Sequence, residues 1–221
     1  MSRRALVFDL DGTLVDTAPD LHATLNVILT ANGRRELDLG QVRNLVGEGA
    51  GRLVERGFAM TGAPLDPGSL KAAIGQYLSH YGANLSVFSR PFPDVAATLE
   101  RFKAKGYRLA VCTNKAEQLS RKLLTDIAFL AYFDALLGGD TLPVCKPDPT
   151  HLLSTLDAIG ATPDDAVMIG DSPVDVATAK AAGVPVIAVD FGYSRIPVAE
   201  LGADAVISAY AELPAALAAV G

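Results

Sequence analysis

Helical segments alternate with short apolar runs along more than half of this chain, from about residue 94 to residue 219. The apolar runs predict strands at 107–112, 135–137, 166–169, 184–189 and 203–207. The periodicity around them predicts helices at 94–105, 117–124, 149–159, 174–182 and 210–219. Strands with nearly continuous apolar residues are buried on both faces, so the alternation predicts a parallel sheet covered by helices on each side.

An earlier part of the chain departs from this alternation. The apolar run Leu6 to Phe8 predicts one more strand, but residues 16–89 show only helical periodicity. We therefore expect an α/β fold, with a doubly wound, Rossmann-like parallel sheet formed by residues 1–15 and 90–221. Residues 16–89 are expected to be inserted as a helical cap domain.

The segment that follows the expected cap is punctuated by prolines, as Arg90-Pro91-Phe92-Pro93-Asp94. Aspartate is a preferred residue at the start of helices, because its side chain accepts a hydrogen bond from the first turn. Asp94 is therefore predicted to cap the helix that begins the alternating part.

Composition excludes several classes of protein. The 221 residues carry a formal net charge of −6, which argues against nucleic acid as the main partner. No uncharged apolar stretch approaches about 18 residues, the length of a membrane-spanning helix. Two cysteines are too few for a disulfide framework, and no cysteine–histidine spacing indicates zinc. We expect a cytoplasmic protein that binds neither membranes nor nucleic acid; a monomer and a homodimer both remain open.

Two carboxylates follow the first predicted strand, in Phe8-Asp9-Leu10-Asp11-Gly12. Side chains alternate along an extended backbone, so Asp9 and Asp11 are expected on the same side, a few ångströms apart. At about 4 Å and an effective dielectric near 20, two such charges repel by roughly 4 kcal/mol. A shared proton or a cation would offset this repulsion. The alternative, two solvated aspartates in a turn, is also common after strands.

Polar residues follow the other predicted strands as well. Thr113 and Asn114 follow one strand, Lys146 lies in the segment after the next, and Asp171 and Asp175 follow a third. Each of these has an ordinary structural explanation when taken alone, such as a helix cap or a surface lysine. Ligands of open parallel sheets bind at the carboxyl ends of the strands, so their joint occurrence at strand ends predicts a site there.

These residues resemble the four motifs of the haloacid dehalogenase superfamily. The motifs are Asp9-Leu10-Asp11-Gly12-Thr13, Thr113-Asn114, Lys146-Pro147 and Gly170-Asp171-Ser172 with Asp175, and they occur in the order of that superfamily. The helical insertion matches a cap that the superfamily places between its first two motifs. Within the superfamily, the chain resembles bacterial phosphoglycolate phosphatases. The segments that carry this resemblance are Val46-Gly47-Glu48-Gly49-Ala50, Gly138-Gly139-Asp140 and Phe191-Gly192-Tyr193. Cys145 departs from the basic or polar residue expected before Lys146.

The resemblance implies a Mg²⁺-dependent phosphomonoesterase that works through an aspartyl-phosphate and hydrolyses 2-phosphoglycolate to glycolate and phosphate. Asp9 is the implied nucleophile, and Asp11 the general acid and base. The side chains of Asp9 and Asp171 and the main-chain carbonyl of Asp11 are the implied Mg²⁺ ligands, and Asp175 supports that metal site.

Three further residues are expected to bind the phosphate group of the substrate, a small phosphorylated metabolite. The cap is expected to recognise the rest of that substrate. Thr113 and the backbone N–H of Asn114 are expected to hold phosphoryl oxygens, and Lys146 to neutralise both the phosphate and Asp9. Arg52, which follows the glycine-rich loop of the cap, is predicted to contact a substrate carboxylate. The competing interpretation of Arg52 is a solvated helix residue. The three histidines receive no role.

Three other functions use similar residues. A phosphomutase of the same superfamily, acting on a sugar phosphate, would need the same Asp9 and Asp11. A signalling receiver domain also surrounds a phospho-aspartate with acids, threonine and lysine, but it is shorter, has no cap and orders its motifs differently. A dehalogenase shares the fold but needs neither Mg²⁺ nor Asp11 as an acid.

Overall fold

The parallel strands expected from the apolar runs form one sheet in the computed structural model, which describes residues 4–220. Within these residues the strands are β1 (Ala5–Phe8), β2 (Val15–Asp16), β3 (Arg90–Pro91), β4 (Arg108–Cys112), β5 (Ala135–Leu137), β6 (Ala166–Gly170), β7 (Val186–Val189) and β8 (Ala205–Ile207). The main sheet has the order β5-β4-β1-β6-β7-β8, and its pairings are parallel. β2 and β3 form a separate antiparallel ribbon.

The helices of the described residues are α1 (Ala18–Ala31), α2 (Leu39–Arg43), α3 (Gly49–Thr61), α4 (Pro67–Ala83), α5 (Val95–Ala104), α6 (Glu117–Asp126), α7 (Pro149–Ala158), α8 (Pro173–Ala181) and α9 (Leu213–Val220). The predicted α/β fold class is confirmed, and most element ends agree within two residues. The last predicted helix begins later, because Tyr210–Glu212 forms a 3₁₀ turn ahead of α9. None of the helices in residues 4–220 combines the length and apolar character needed to cross a membrane.

Strand β1 is the centre of the sheet, and both of its faces are covered. Leu6 and Phe8 belong to one buried hydrophobic cluster, whereas Ala5 and Val7 belong to a second cluster that includes Leu152 of α7. All four β1 side chains are fully buried. Burial of a large apolar side chain contributes about 1.5–3 kcal/mol, so β1 is fixed from both sides.

The register of the central strands brings their carboxyl ends to one level. Phe8 pairs with Val111 of β4 on one side and with Ile169 of β6 on the other. The residues just beyond these pairs therefore leave the sheet at the same edge. After β1 the chain adds β4 and β5 on one side of the sheet, and then crosses over to add β6, β7 and β8 on the other side. Ligands of open parallel sheets bind where the strand order reverses in this way.

Helices α1 to α4 occupy the predicted insertion between β2 and β3. The carboxylate of Asp20 ties the end of this segment to its beginning, because it accepts hydrogen bonds from the backbone N–H groups of Phe88 (2.9 Å) and Ser89 (2.8 Å). The Ser89 hydroxyl donates to the same carboxylate at 2.6 Å. Asp20 is buried, so these charge-assisted bonds are shielded from water.

Asp94 occupies the N-cap position of α5, as predicted, but its side chain does not cap the helix. Asp94 precedes α5, but its φ of 62° is left-handed and its side chain makes no capping hydrogen bond. The side chains of Asp38, Asp66 and Asp148 do cap helices, and all three have extended backbone. A capping side chain must reach back over the first turn from an extended residue, and the left-handed turn at Asp94 does not provide that conformation.

His151 is a buried histidine beside the loop that ends in Lys146. Its Nδ1 accepts a hydrogen bond of 3.2 Å from the backbone N–H of Lys146. Burial disfavours the imidazolium and the Lys146 charge repels it, so the pKa of His151 is lowered to about 4. The folded protein thus keeps this ring neutral at acidities where an unfolded chain would protonate it.

We expect His151 to make the protein sensitive to mild acid. Because the folded pKa lies below the ordinary value of 6.5, stability is lost as pH falls from about 6.5 to about 4, by up to about 3 kcal/mol. His151→Gln should therefore lose less stability than wild type between pH 7 and pH 4.5, measured by urea unfolding. His80→Gln in α4 serves as the control. An equal acid loss in wild type and His151→Gln would contradict this assignment.

Candidate active site

Asp9 and Asp11 leave the end of β1 and line the same cavity, but they have different partners. Oδ1 of Asp9 accepts a hydrogen bond from the backbone N–H of Leu10 at 2.7 Å. Oδ1 of Asp11 accepts from the Thr17 hydroxyl at 2.7 Å and from Lys115 Nζ at 2.9 Å. Asp9 is buried and Asp11 is partly exposed, so the two carboxylates are chemically distinct.

Asp9 forms a buried acidic cluster with two residues from the end of β6 and the start of α8. Asp9, Asp171 and Asp175 each offer a carboxylate oxygen, and these oxygens lie within 4.8 Å of one another. Burial, more than the neighbouring acids, raises the pKa of Asp9 to about 6 and that of Asp171 well above its ordinary value. The cluster therefore carries more negative charge than its surroundings favour.

Lys146 is the cation inside this cluster. Its Nζ lies 2.6 Å from Asp175 Oδ1 and 3.0 Å from Asp9 Oδ1, and the ammonium is buried with both. Burial lowers the pKa of Lys146, but the charges of Asp175 and Asp9 outweigh this effect and raise it above the ordinary value. The ammonium form of Lys146 is therefore favoured in the folded protein.

Three carboxylates and one ammonium leave two negative charges uncompensated when all three acids are ionised. The three carboxylates offer only oxygen atoms, which are the ligands that hard divalent cations prefer. Asp9 and Asp171 each accept few hydrogen bonds, so their oxygens can still bind a cation. Asp175 is more fully engaged, because it also accepts hydrogen bonds from the Ser172 N–H at 3.1 Å and hydroxyl at 2.6 Å. The residues fit a divalent cation held by Asp9 and Asp171 and supported by Asp175.

Thr113 and Asn114 lie at the end of β4, beside Asp9 and Asp11 on the cavity wall. The Asn114 side-chain amide donates to the Lys146 carbonyl at 3.0 Å and to the Gly47 carbonyl at 3.1 Å. It thus joins the lysine loop to the glycine-rich loop of the insertion. Thr113 is buried, with its hydroxyl accepting a 3.2 Å hydrogen bond from the Lys115 N–H.

The cavity beyond Asp9 and Asp11 has a volume of about 510 Å³ including its open mouth. The insertion supplies much of its wall, through the glycine-rich loop and apolar or aromatic side chains. These are Leu21, Val46, Gly47, Gly49, Ala50, Leu53, Tyr77, Leu78 and Tyr81. The sheet and insertion together therefore form one cavity that ends on two carboxylates.

Arg52 is not among the residues that line this cavity. Its guanidinium lies 2.7 Å from Glu55 on the same face of α3, and its side chain is 61% exposed. The structure thus places Arg52 on the helix surface, one turn from the loop that does reach the site. The other predicted site residues come together at the sheet edge.

Lys115 has no role in the sequence prediction, although it directly follows Thr113 and Asn114. Its Nζ contacts both Asp11 oxygens, at 2.9 and 3.2 Å, and donates to the Tyr81 hydroxyl at 2.7 Å. The ammonium also lies 4.6 Å from the centre of the Tyr81 ring. Its position immediately after the strand end is the signal that the sequence offers for this residue.

The family model of haloacid dehalogenase-like hydrolases matches residues 6–189, which span the whole acidic cluster. The chain belongs to this family. It is 46% identical over 211 residues to a phosphoglycolate phosphatase of Caulobacter vibrioides, covering 96% of this chain and 89% of that protein. A phosphoglycolate phosphatase of Rhodospirillum rubrum is 45% identical, with 95% and 89% covered. The crystal structure of a predicted phosphoglycolate phosphatase from Haemophilus somnus superposes with a TM-score of 0.92 at 32% identity, covering 97% of this chain and 98% of that one.

In this haloacid dehalogenase-like hydrolase, Asp171 is held by the segment that follows β7. The backbone N–H of Tyr193 donates to Asp171 Oδ2 at 2.7 Å, and the Thr13 hydroxyl donates to Oδ1 at 3.2 Å. The Tyr193 hydroxyl bonds Asp16 and accepts from the Ala18 N–H at 3.0 Å. Tyr193 thus links the acidic cluster to the first turn of the insertion.

Two glycines allow the backbone to approach Asp171 closely. A Cβ at Gly192 would overlap Asp171 Cβ and lie 2.5 Å from its Oδ2. A Cβ at Gly12, where φ is +84°, would also lie 2.5 Å from Asp171 Oδ2. No side chain fits at either position unless Asp171 moves.

Gly192→Ala is expected to displace Asp171 and so to weaken both divalent-cation binding and turnover, the latter by about 10-fold or more. Titration calorimetry with Mg²⁺ and phosphate-ester hydrolysis measure the two effects. Gly75→Ala is the matched control, because a Cβ at this exposed α4 glycine would meet no neighbouring atom within 4 Å. That variant should keep full turnover and gain about 0.5–1 kcal/mol of stability. Equal cation affinity in Gly192→Ala and Gly75→Ala would contradict the argument.

Proposed function

We propose that this chain is a Mg²⁺-dependent phosphomonoesterase that hydrolyses 2-phosphoglycolate to glycolate and phosphate through an aspartyl-phosphate intermediate. The observation that carries this proposal is the environment of Asp9. Its buried carboxylate contacts Lys146, belongs to the acidic cluster and lines the cavity. The choice of substrate is supported by relatives of the family, several of which are phosphoglycolate phosphatases at 44–46% identity.

Asp9 is the nucleophile in this proposal. The Leu10 N–H and Lys146 both contact Oδ1, so we assign the attack on phosphorus to Oδ2. A bond forms between Asp9 and phosphorus while the bond to the ester oxygen breaks. Water then attacks phosphorus, releases phosphate and restores the carboxylate.

Asp11 is the proton donor and acceptor. It gives a proton to the departing alkoxide oxygen in the first step and takes one from the attacking water in the second. Thr17 and Lys115 hold its carboxylate on the cavity wall, and Asp11 is not one of the three members of the acidic cluster. This position suits a group that exchanges a proton with the leaving oxygen and does not attack the phosphorus.

Charge neutralisation falls to Lys146 and to a bound Mg²⁺. We propose that the side chains of Asp9 and Asp171 and the main-chain carbonyl of Asp11 hold the ion, with Asp175 supporting the site. When bound, the ion neutralises the phosphoryl group and lets an anionic carboxylate approach it. The Thr113 hydroxyl and Asn114 backbone N–H bind the remaining phosphoryl oxygens.

Residues 16–89 are proposed to act as a cap on the catalytic residues contributed by 1–15 and 90–221. The β2–β3 ribbon is the point at which the chain enters and leaves this segment. The Gly47 carbonyl bonds Asn114, so closing the cap over the site completes contacts with the sheet edge. Exclusion of water by this closure would favour transfer to the nucleophile.

Asp9→Asn is expected to lower turnover by at least about 10⁴-fold, because an amide cannot form the phospho-enzyme. The fold should persist, since the substitution removes one of three clustered negative charges and leaves the 2.6 Å Lys146–Asp175 pair intact. Phosphate release and thermal unfolding measure the two outcomes. Asp126→Asn, at an exposed pair with Lys122, is the control and should retain wild-type rates. Near wild-type turnover in Asp9→Asn would exclude the mechanism.

A phosphate-release screen tests the activity and its metal. The panel contains 2-phosphoglycolate, larger phosphorylated acids, sugar phosphates and nucleoside monophosphates, each with Mg²⁺ and with a chelator. We expect 2-phosphoglycolate to be hydrolysed at least about 10-fold faster than the others, and only with Mg²⁺ present. Conversion of a sugar phosphate to its isomer without phosphate release would instead identify a phosphomutase.

A further inference from the structure

The substrate proposed above brings a second negative charge into the cavity. The carboxylate of 2-phosphoglycolate is separated from the ester oxygen by one CH₂ group. If Asp11 protonates that oxygen, the substrate carboxylate must lie close to Asp11. Two carboxylates at such a distance repel each other unless a cation lies between them or beside both.

Lys115 is the one positively charged residue among those that line the cavity in the described part of the chain. Its side chain is buried, with only 5% exposed, and its charge lies against Asp11. Arg52, the residue predicted for this role, lies on the surface, and Lys146 is enclosed between Asp9 and Asp175. The cavity therefore offers a single cation to an anionic substrate group.

The contacts of Lys115 suit exchange with a ligand. An ammonium has three N–H donors, and here they face Tyr81 Oη at 2.7 Å, Asp11 Oδ1 at 2.9 Å and Asp11 Oδ2 at 3.2 Å. The last contact is the longest and duplicates the second. A substrate carboxylate can therefore take one donor while Tyr81 and one Asp11 oxygen keep the ammonium in place.

We propose that Lys115 is the specificity-determining residue of this enzyme, and that it selects short phosphorylated acids by binding their carboxylate beside Asp11. This inference rests on the proposed phosphatase function. Tyr81 orients the ammonium through its hydroxyl, and its ring packs against Tyr77 with centroids 5.8 Å apart. The apolar side chains of Leu53 and Leu78 also line the cavity and offer no polar partner to a longer, more polar substrate chain.

Binding of the substrate carboxylate to Lys115 would also change the contacts of Asp11, the general acid. In the structure, Lys115 engages both oxygens of Asp11. When a substrate carboxylate takes one ammonium donor, one Asp11 oxygen is released to face the ester oxygen. A phosphate ester without a carboxylate leaves both oxygens engaged.

The test compares two substrates that differ only at this group: 2-phosphoglycolate and 2-hydroxyethyl phosphate, in which the carboxylate is replaced by CH₂OH. For wild type we expect kcat/KM to favour 2-phosphoglycolate by about 10²-fold or more, because its carboxylate forms a charge-assisted contact with Lys115 that a neutral hydroxyl does not match. For Lys115→Met this ratio should fall to within a few-fold of one. A ratio is used because both substrates share any effect of the variant on Asp11.

Two further variants keep the result interpretable. Lys122→Met in α6 removes an exposed lysine that pairs with Asp126 and should leave the ratio unchanged. If Lys115→Met does not fold, as judged by circular dichroism, Lys115→Gln replaces it. The glutamine amide still donates hydrogen bonds but carries no charge, and the same loss of preference is expected.

Three outcomes would overturn the assignment. A Lys115 variant that keeps the wild-type ratio would exclude Lys115 while leaving the phosphatase function intact. Faster wild-type hydrolysis of 2-aminoethyl phosphate, which carries a cation in place of the carboxylate, than of 2-hydroxyethyl phosphate would exclude recognition by a cation without any variant. Failure of wild type to hydrolyse any of the three esters would overturn the proposed function and this inference together.

Discussion

The Lys146 ammonium between Asp9 and Asp175 is the interaction on which the rest of the site depends. Without it, three carboxylates would share a space from which water is excluded, and the repulsion would have to be relieved by protonation, by another cation or by the side chains moving apart. With Lys146 in place, Asp175 is paired with the ammonium, and the same ammonium contacts one oxygen of Asp9. The remaining negative charge is what fits the site for a divalent cation.

The sheet makes this arrangement possible because it delivers the groups from separate parts of the chain. Asp9 directly follows β1, Asp171 directly follows β6, and Lys146 lies in the loop after β5. The parallel register ends these strands at one edge, and full burial of β1 prevents that edge from shifting. Each side chain is then fixed locally, as when Asp175 completes the capping box of α8 with Ser172.

The helical insertion is joined to the catalytic edge by polar contacts as well as by apolar packing. Asn114 bonds the Gly47 carbonyl, Lys115 bonds Tyr81, and Tyr193 connects Asp171 to the first turn of α1. Each of these bonds ends on or beside a residue proposed to take part in catalysis. The insertion and the acids at the sheet edge are therefore joined by direct hydrogen bonds in this fold.

The sequence by itself determined the α/β fold, the parallel sheet and the cluster of acids and lysine at the strand ends. Apolar runs and helical periodicity report burial directly, and parallel strands necessarily end at one edge. Local patterns were less reliable where the backbone was unusual: Asp94 is the N-cap residue of α5, but its left-handed conformation leaves it without the expected side-chain hydrogen bond. Only the tertiary structure decided which cation faces the cavity, because the direction of a long side chain depends on neighbours distant in sequence. Arg52 turns to Glu55 on the helix surface, whereas Lys115 is drawn between Asp11 and Tyr81, which come from opposite sides of the site.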